Sequence, residues 1–528
     1  MRPLSKGLIS ILILMPIGLA ACRGPQTTTA SITVEISVDG DRRQVDLPSG
    51  STVQQALQQS GISLGELDRL DPPSYTVVYE DAQIRVTRVT ERFEVEAVVV
   101  PFERQTIRSE SIAEGETRLL QPGRNGMEEI TYRIVEEEGV EQSRTPVKRT
   151  VLQEAEPEII MIGTLATYTQ VSIEGALAYL SGGNAWLMQI DSGNRRPLYV
   201  GGDLDGRVFK LSPDGRWLLF SRQEAGDEAV NNSLWVVSTL EDEAEPFDLQ
   251  ARNVIHFADW FPGAQSPTIA YSTVEPRAAA PGWQANNDLI LVTFDPEQDE
   301  VETQTLIEPN AGGEYGWWGT TFAWSPDGTM LAYARPDGVG VVDLVEPTFT
   351  PWFAMAPYQS LADWAWVPGI AWGQDSATLF AVDHGAPVGL EEAAASPVFN
   401  LVALTDAGAQ AITLASRTGM FSHPSTSPLV DLPSGERAYS VAYLQAITPL
   451  ESESSSYRLV VMDRDGSNNQ VLFPADGDPG LEPQQVVWSP GGNRIALLYR
   501  GDLWIIDLAS AIGQRLTGDG LATGLDWK

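Results

Sequence analysis

Alternation of apolar and polar positions dominates this chain. Ile32, Val34, Ile36 and Val38 fall on every second residue, the period of a strand with one buried face. Asp39-Gly40 marks a hairpin turn, with Val45 and Leu47 on the returning strand. The period then changes. Val53, Ala56 and Leu57 share a helical face, Ser51 or Thr52 stands where an N-cap belongs, and Gly61 supplies a left-handed stop. Further strands are predicted at 75–79 and 84–89.

From Phe93 the pattern stays strand-rich but gains charge, and Gly115, Gly123, Gly126, Gly139 and Gly163 punctuate it. Pro122-Gly123-Arg124-Asn125-Gly126 reads as a tight turn whose glycines take positive φ. Residues 131–135 and 147–151 read as a hairpin about Gly139, and 159–164 closes the stretch. Beyond 165 a unit recurs. Ser212-Pro213-Asp214-Gly215, Ser325-Pro326-Asp327-Gly328 and Ser489-Pro490-Gly491-Gly492 each precede an apolar strand and then a second one. Weaker copies stand at Ile173-Glu174-Gly175, Phe261-Pro262-Gly263, Trp372-Gly373-Gln374-Asp375 and Pro433-Ser434-Gly435. Recurrence of this kind predicts a β-propeller of seven blades, with six as the alternative count. The motif is a turn: proline sets φ at its second position and glycine takes the left-handed one. Its serine is therefore structural. Leu525-Asp526-Trp527 reads as an inner strand without a sequel that joins the first blade and closes the ring.

These patterns carry three resemblances. Hairpin, helix and two strands over 31–90 give the order of a ubiquitin-like β-grasp domain, and 45–89 resembles the small repeated domain of resuscitation-promoting factors. Residues 91–164, with their five glycines and closing Gly163-Thr164, resemble the extracellular five-glycine module. The sharp repeats resemble those of TolB-like propellers, and 165–528 fits their spacing. The five-glycine family implies adhesins, cell-wall enzymes and lipoproteins, with binding of N-acetylglucosamine polymers proposed for it. The plainer expectation is a stiff spacer. The fold class is mainly β: β-grasp domain, elongated strand-rich module, then propeller.

The first residues change the picture of where this chain works. Arg2 and Lys6 precede an apolar run from Leu8 to Ile17, and Leu19-Ala20-Ala21-Cys22 follows. That is a secretory layout whose apolar core is too short to span a bilayer. The last four residues resemble a bacterial lipobox, which implies cleavage after 21 and lipidation of Cys22, with 22–30 as a tether. Cys22 is the only cysteine, so it has no disulfide partner. The expected first partner is thus a membrane, reached through an N-terminal lipid.

Charge narrows the partners further. With 71 acidic and 34 basic residues the net charge is −37, a field that repels nucleic acid. No cofactor is expected, and no metal or catalytic residues are assigned. His256, His384 and His423 are far apart in sequence, and no zinc helix, nucleophile elbow or phosphate loop occurs. His384 beside Asp383 is read as a loop histidine. Asp463-Arg464-Asp465-Gly466-Ser467-Asn468 superficially resembles a calcium loop but lacks the remote glutamate and falls at an outer hairpin turn.

Loop lengths point to a binding face. Second-to-third strand loops are long at 222–232, 274–287, 384–396 and 447–456 and short in the other three units. Blade-entry segments on the same face carry Tyr315-Gly316-Trp317-Trp318 and 358–364. Trp283, Tyr315, Trp317 and Tyr358 are the candidate ligand-binding residues, expected to be partly exposed on one rim and able to stack on sugars or anchor a peptide. Trp366 and Trp372 are expected to pack between blades. Three readings follow: a binding or scaffold lipoprotein for cell-wall glycan or an envelope protein, a purely structural envelope component, and a propeller hydrolase or lyase. The last ranks lowest, for want of converging acid, base or metal ligands.

Overall fold

The computed structural model describes residues 30–113, 116–165, 170–224, 230–264, 266–405, 407–431 and 435–528. Cys22, Gly115 and the Pro433-Ser434 pair lie outside them. The chain divides into two compact units, 1–104 with 121–158 and 105–120 with 159–528.

In the first unit, Ser31–Val38 pairs antiparallel with Asp41–Pro48 and parallel with Gln83–Thr87, the crossover that defines a β-grasp sheet. The helix Val53–Gln59 starts at Thr52, whose side chain accepts from Gln55 N while Gln55 returns a bond to Thr52 N. This reciprocal cap and the buried Val53, Ala56 and Leu57 hold it against Val34, Ile36 and Ile84. The strand expected at 75–79 is absent. The third strand is Arg69–Asp71, and 75–79 is tied to the start of the helix by a Thr52–Val77 bridge and by bonds from Val53 N to Thr76 O and from Val78 N to Ser51 O, with Val78 in the core. Its alternation points Tyr75, Val77 and Tyr79 to solvent, so apolar periodicity there does not mean burial.

The same unit holds the sheet Val89–Val100, Gly126–Glu137 and Val140–Gln153, with its hairpin turn at Glu138-Gly139 as the sequence predicts. Residues 122–126 are not a tight turn. They run extended, and Arg124 bridges Glu156 through two backbone bonds of 2.9 Å. Their glycines serve close approach. A Cβ on Gly123 would lie 2.3 Å from the Phe102 ring, and one on Gly126 would lie 2.6 Å from Ala155 N. Arg104–Ala113, Glu158–Leu165 and Thr117–Gln121 form a second sheet. Ile107, Ile112, Leu120 and Met161 from it pack with Val171, Ile173 and Trp186 of the first propeller blade.

The propeller has seven four-stranded sheets. Seven apolar clusters alternate with them, each between two neighbouring blades, and the last joins Ala496, Leu503 and Ile505 to Leu177 and Trp527. The ring therefore closes. Ala522–Trp527 supplies the innermost strand of the first blade, pairing with Ser172–Ser181. The three sharp turns have one chemistry. The Ser212 hydroxyl donates to Asp214 and accepts from Trp217 N, and Ser325 repeats this with Asp327 and Met330 N. In the third, Ser489 accepts from Arg494 N and donates to Asn493. The bond from Ser325 holds the Asp327 carboxyl down at about 2. These hydroxyls are occupied by the turn.

Candidate functional site

Blade geometry decides which loops can meet. Second-to-third strand loops bond directly to the segments entering the next blade: Leu204 N to Gly183 O at 3.2 Å, Asn310 N to Asn286 O at 2.9 Å, and Ala522 N to Gly501 O at 2.8 Å. Both loop types therefore share one face, where the long loops 274–287, 384–396 and 447–456 lie; 225–229 of the fourth are outside the described residues.

On that face the four candidate aromatics separate into two places. Trp283, Tyr315 and Trp317 stand at the third and fourth blades. Trp283 is buried, 7% exposed, against expectation. The insertion carrying it is a hairpin, Val274–Pro276 paired with Trp283–Ala285. Such a hairpin needs a core of its own, and the indole supplies it, 5.0 Å from Trp318 and 6.0 Å from His256, with Val274 and Ala285 beside it. Trp317 and Tyr315 are half-buried, and Trp317 meets Trp318 edge-on at 5.7 Å. Trp366 and Trp372 are buried, their indoles donating to Met420 O and Ala323 O.

Tyr358 lies elsewhere, at the fifth and sixth blades, and it lines an opening. A cavity of about 220 Å³ is walled by Tyr358, Pro397, Phe399, Met420 and Leu450, with Glu451, Ser452, Glu453 and Ser454 on the remaining side. The long loops 384–396 and 447–456 flank it. The second is shaped by a short 3-10 turn, Pro449–Glu451, whose proline sits in its first turn. Tyr358 meets Phe399 at 5.6 Å and donates its hydroxyl to Glu453 Oε2 at 3.0 Å. Burial and that bond push the hydroxyl up to about 12, so it stays a donor at neutral pH. Glu451 and Glu453 are exposed, and among the described residues neither has a cationic partner. Phe399, Met420 and the two glutamates were not legible as site residues. Phe399 and Met420 read as ordinary apolar positions; Glu451-Ser452-Glu453 in a long loop was the available signal.

The histidines depart from the sequence reading. His384 is not a loop residue but the last residue of the strand Leu379–His384. It is buried, with Nδ1 2.6 Å from Ala356 O and Nε2 2.9 Å from Ser396 O. Asp383, on the opposite side of the strand, is pushed up by burial and meets Asn400. The two do not pair. Burial lowers His256 and His423 to about 4, and both His256 nitrogens lack a partner. The 463–468 segment spends its polar groups internally: Asn468 donates to Asp463 at 2.6 Å and Ser467 to Asp465 at 2.6 Å.

Residues 91–165 match the G5 domain family, and 34–74 match the G5-linked ubiquitin-like domain family. The chain is 26% identical over 199 residues to resuscitation-promoting factor RpfB of Mycolicibacterium smegmatis, covering 36% of this chain and 53% of that protein. It is 26% identical over 145 residues to Rpf2 of Corynebacterium glutamicum, covering 28% of this chain and 38% of that one. It thus spans about half or less of these relatives. Among solved structures, the periplasmic gluconolactonase PpgL of Pseudomonas aeruginosa is 13% identical, with a TM-score of 0.41, covering 66% of this chain and 98% of that one. The G5 domain of an IgA1 protease is 25% identical, with a TM-score of 0.12, covering 15% and 94%. The G5 domain and the resuscitation-promoting factors point to an extracytoplasmic or cell-surface protein.

Proposed function

We propose that this protein is a lipid-anchored extracytoplasmic binding protein that holds an envelope partner, cell-wall glycan or a protein, on the loop face of its propeller. The observation that carries the reading is the Tyr358 cavity: an aromatic and aliphatic floor, hydrogen-bonding groups at its mouth, and two long loops beside it. That mixture of apolar area with a few polar groups suits recognition. The reading is non-catalytic. The motif serines are engaged in turns, His384 and Asp383 face apart, and no group of three His, Cys, Asp or Glu side chains gathers among the described residues. Anchoring rests on the lipobox-like sequence ending at Cys22; two acyl chains would hold the protein stably where one would not.

One set of strains tests both parts. Metabolic labelling with a fatty acid should mark the wild type and not Cys22→Ser; equal labelling and sedimentation of both would defeat the anchor. The purified full chain should retain isolated cell-wall sacculi or a defined envelope protein. Tyr358→Ala should lower that retention about tenfold with little change in melting temperature. Undiminished retention would take the binding role away from this cavity.

A further inference from the structure

Size is the first clue to what the Tyr358 cavity takes. Its volume of about 220 Å³ lies below the roughly 300–1,000 Å³ of small-molecule sites. It has room for one protruding group of a larger partner, in the manner of an interface anchor pocket.

Chemistry is the second. The accessible wall offers the Tyr358 ring, Pro397 and Leu450, backed by the buried Phe399 and Met420, a surface suited to methylenes with a cation able to approach the Tyr358 face. The mouth offers Glu451 and Glu453. Tyr358 occupies one acceptor position of Glu453, and a carboxylate has about four. Among the described residues no lysine or arginine lines the cavity. In a chain with 71 acidic and 34 basic residues an unpaired carboxylate is ordinary. Two of them at the mouth of an aromatic pocket are not, because that position sets the charge of whatever enters. An anionic group would be repelled there. A neutral apolar group would make no use of the two carboxylates.

We infer that this cavity is the subsite for a primary alkylammonium group, the side chain of a lysine-type residue in a peptide partner, with its methylenes along Tyr358 and Leu450 and its ammonium between Glu451 and Glu453. The inference rests on the proposed binding role of the face and deepens it by naming the recognised group. Charge complementarity argues for this occupant, and the strongly acidic molecule adds long-range attraction for basic partners.

The same long-range attraction complicates the test, since an acidic protein gathers cations without any site. A single-charge probe and a matched control separate the two. Nα-acetyl-lysine methylamide, titrated into the full chain and followed by NMR shifts, should saturate. Its Nε-acetylated analogue should bind at least tenfold more weakly. The pair Glu451→Gln with Glu453→Gln should weaken the lysine probe at least tenfold, while Glu241→Gln with Asp242→Asn, two acidic residues of another loop, should leave it within twofold. Equal binding of both probes, equal loss in the control pair, or no saturable binding overturns the inference. So does an N-acetylglucosamine oligomer binding at this cavity with the glutamine pair unaffected. If the lysine probe fails while Tyr358→Ala still lowers retention of the envelope partner, the ammonium subsite is wrong and the binding role stands.

Discussion

At the scale of single residues, His256 is a buried imidazole whose protonation is coupled to folding. Its ring lies against Trp283 at 6.0 Å and beneath Gly319, where a Cβ would come within 2.8 Å of the imidazole. Both nitrogens are buried without partners, which disfavours the charged form and brings the group to about 4. An unfolded histidine titrates near ~6.5. Between those values the unfolded chain holds more protons, so stability rises with pH there. The contribution is complete above about 6.5 and is lost as pH falls through about 4. His256→Phe keeps a flat ring and removes the proton site. Its melting temperature should fall less than that of the wild type between pH 7 and 4.5, measured by circular dichroism. Parallel slopes would mean the imidazole is solvated in the native state. None of this was legible beforehand, because a histidine in a blade-entry segment has the same local sequence whether water or an indole faces it.

Elements repeat the lesson with more structure behind it. The first turn of each blade was readable because its chemistry is local: Ser325, Asp327 and Gly328 satisfy one another and Met330 within six residues. The 274–287 insertion was not. Its length signalled an exposed loop, but residue count does not say whether a segment pairs with itself. Here Pro276 faces Trp283 in register and Gly282, at φ 94°, closes the bend. The hairpin's core consists of Val274, Trp283 and Ala285, with Ile255 and Trp318 against it. With so few apolar partners, loss of the indole leaves nothing to hold the element down. Trp283→Ala should therefore cost about 3–5 kcal/mol locally and speed hydrogen exchange at the Val274 and Ala285 amides. Trp317→Ala, at a half-buried side chain, should cost clearly less. Equal effects would mean that the half-buried Trp317 organises this rim as much as the buried Trp283 does.

At the scale of the whole molecule the ring depends on two segments far apart in sequence, 172–181 and 522–527, meeting in one blade. The strand at 525–527 was readable as part of a blade, since Leu525-Asp526-Trp527 repeats the pattern of an inner strand. The division of the five-glycine region between two compact units was not readable, because its strands share one alternating pattern and their partners are set by contacts far along the chain. Closure itself is held at several points. Leu177 to Leu180 pair with Trp527 to Gly524, Lys528 exchanges two backbone bonds with Ala176 at 2.7 and 2.9 Å, and Asp526 accepts from Leu211 N of the second blade at 2.8 Å. Trp527, 2% exposed, donates to Glu174 O and packs among Leu177, Tyr179 and Ile505. Where the second and fourth blades make this corner with a covalent Ser-Pro-Asp-Gly turn, the first makes it with hydrogen bonds between strands far apart in sequence. Deleting 521–528 would expose strand edges on both sides of the gap and remove a buried Trp worth about 3–5 kcal/mol by itself, against a typical domain margin of roughly 5–15 kcal/mol. The shortened protein should melt many degrees lower and lose all seven blades together, because each inter-blade cluster needs both neighbours. Trp527→Ala should lower the melt by a smaller amount in the same single transition. A separate early transition confined to the first blade would mean that the remaining six stand without closure.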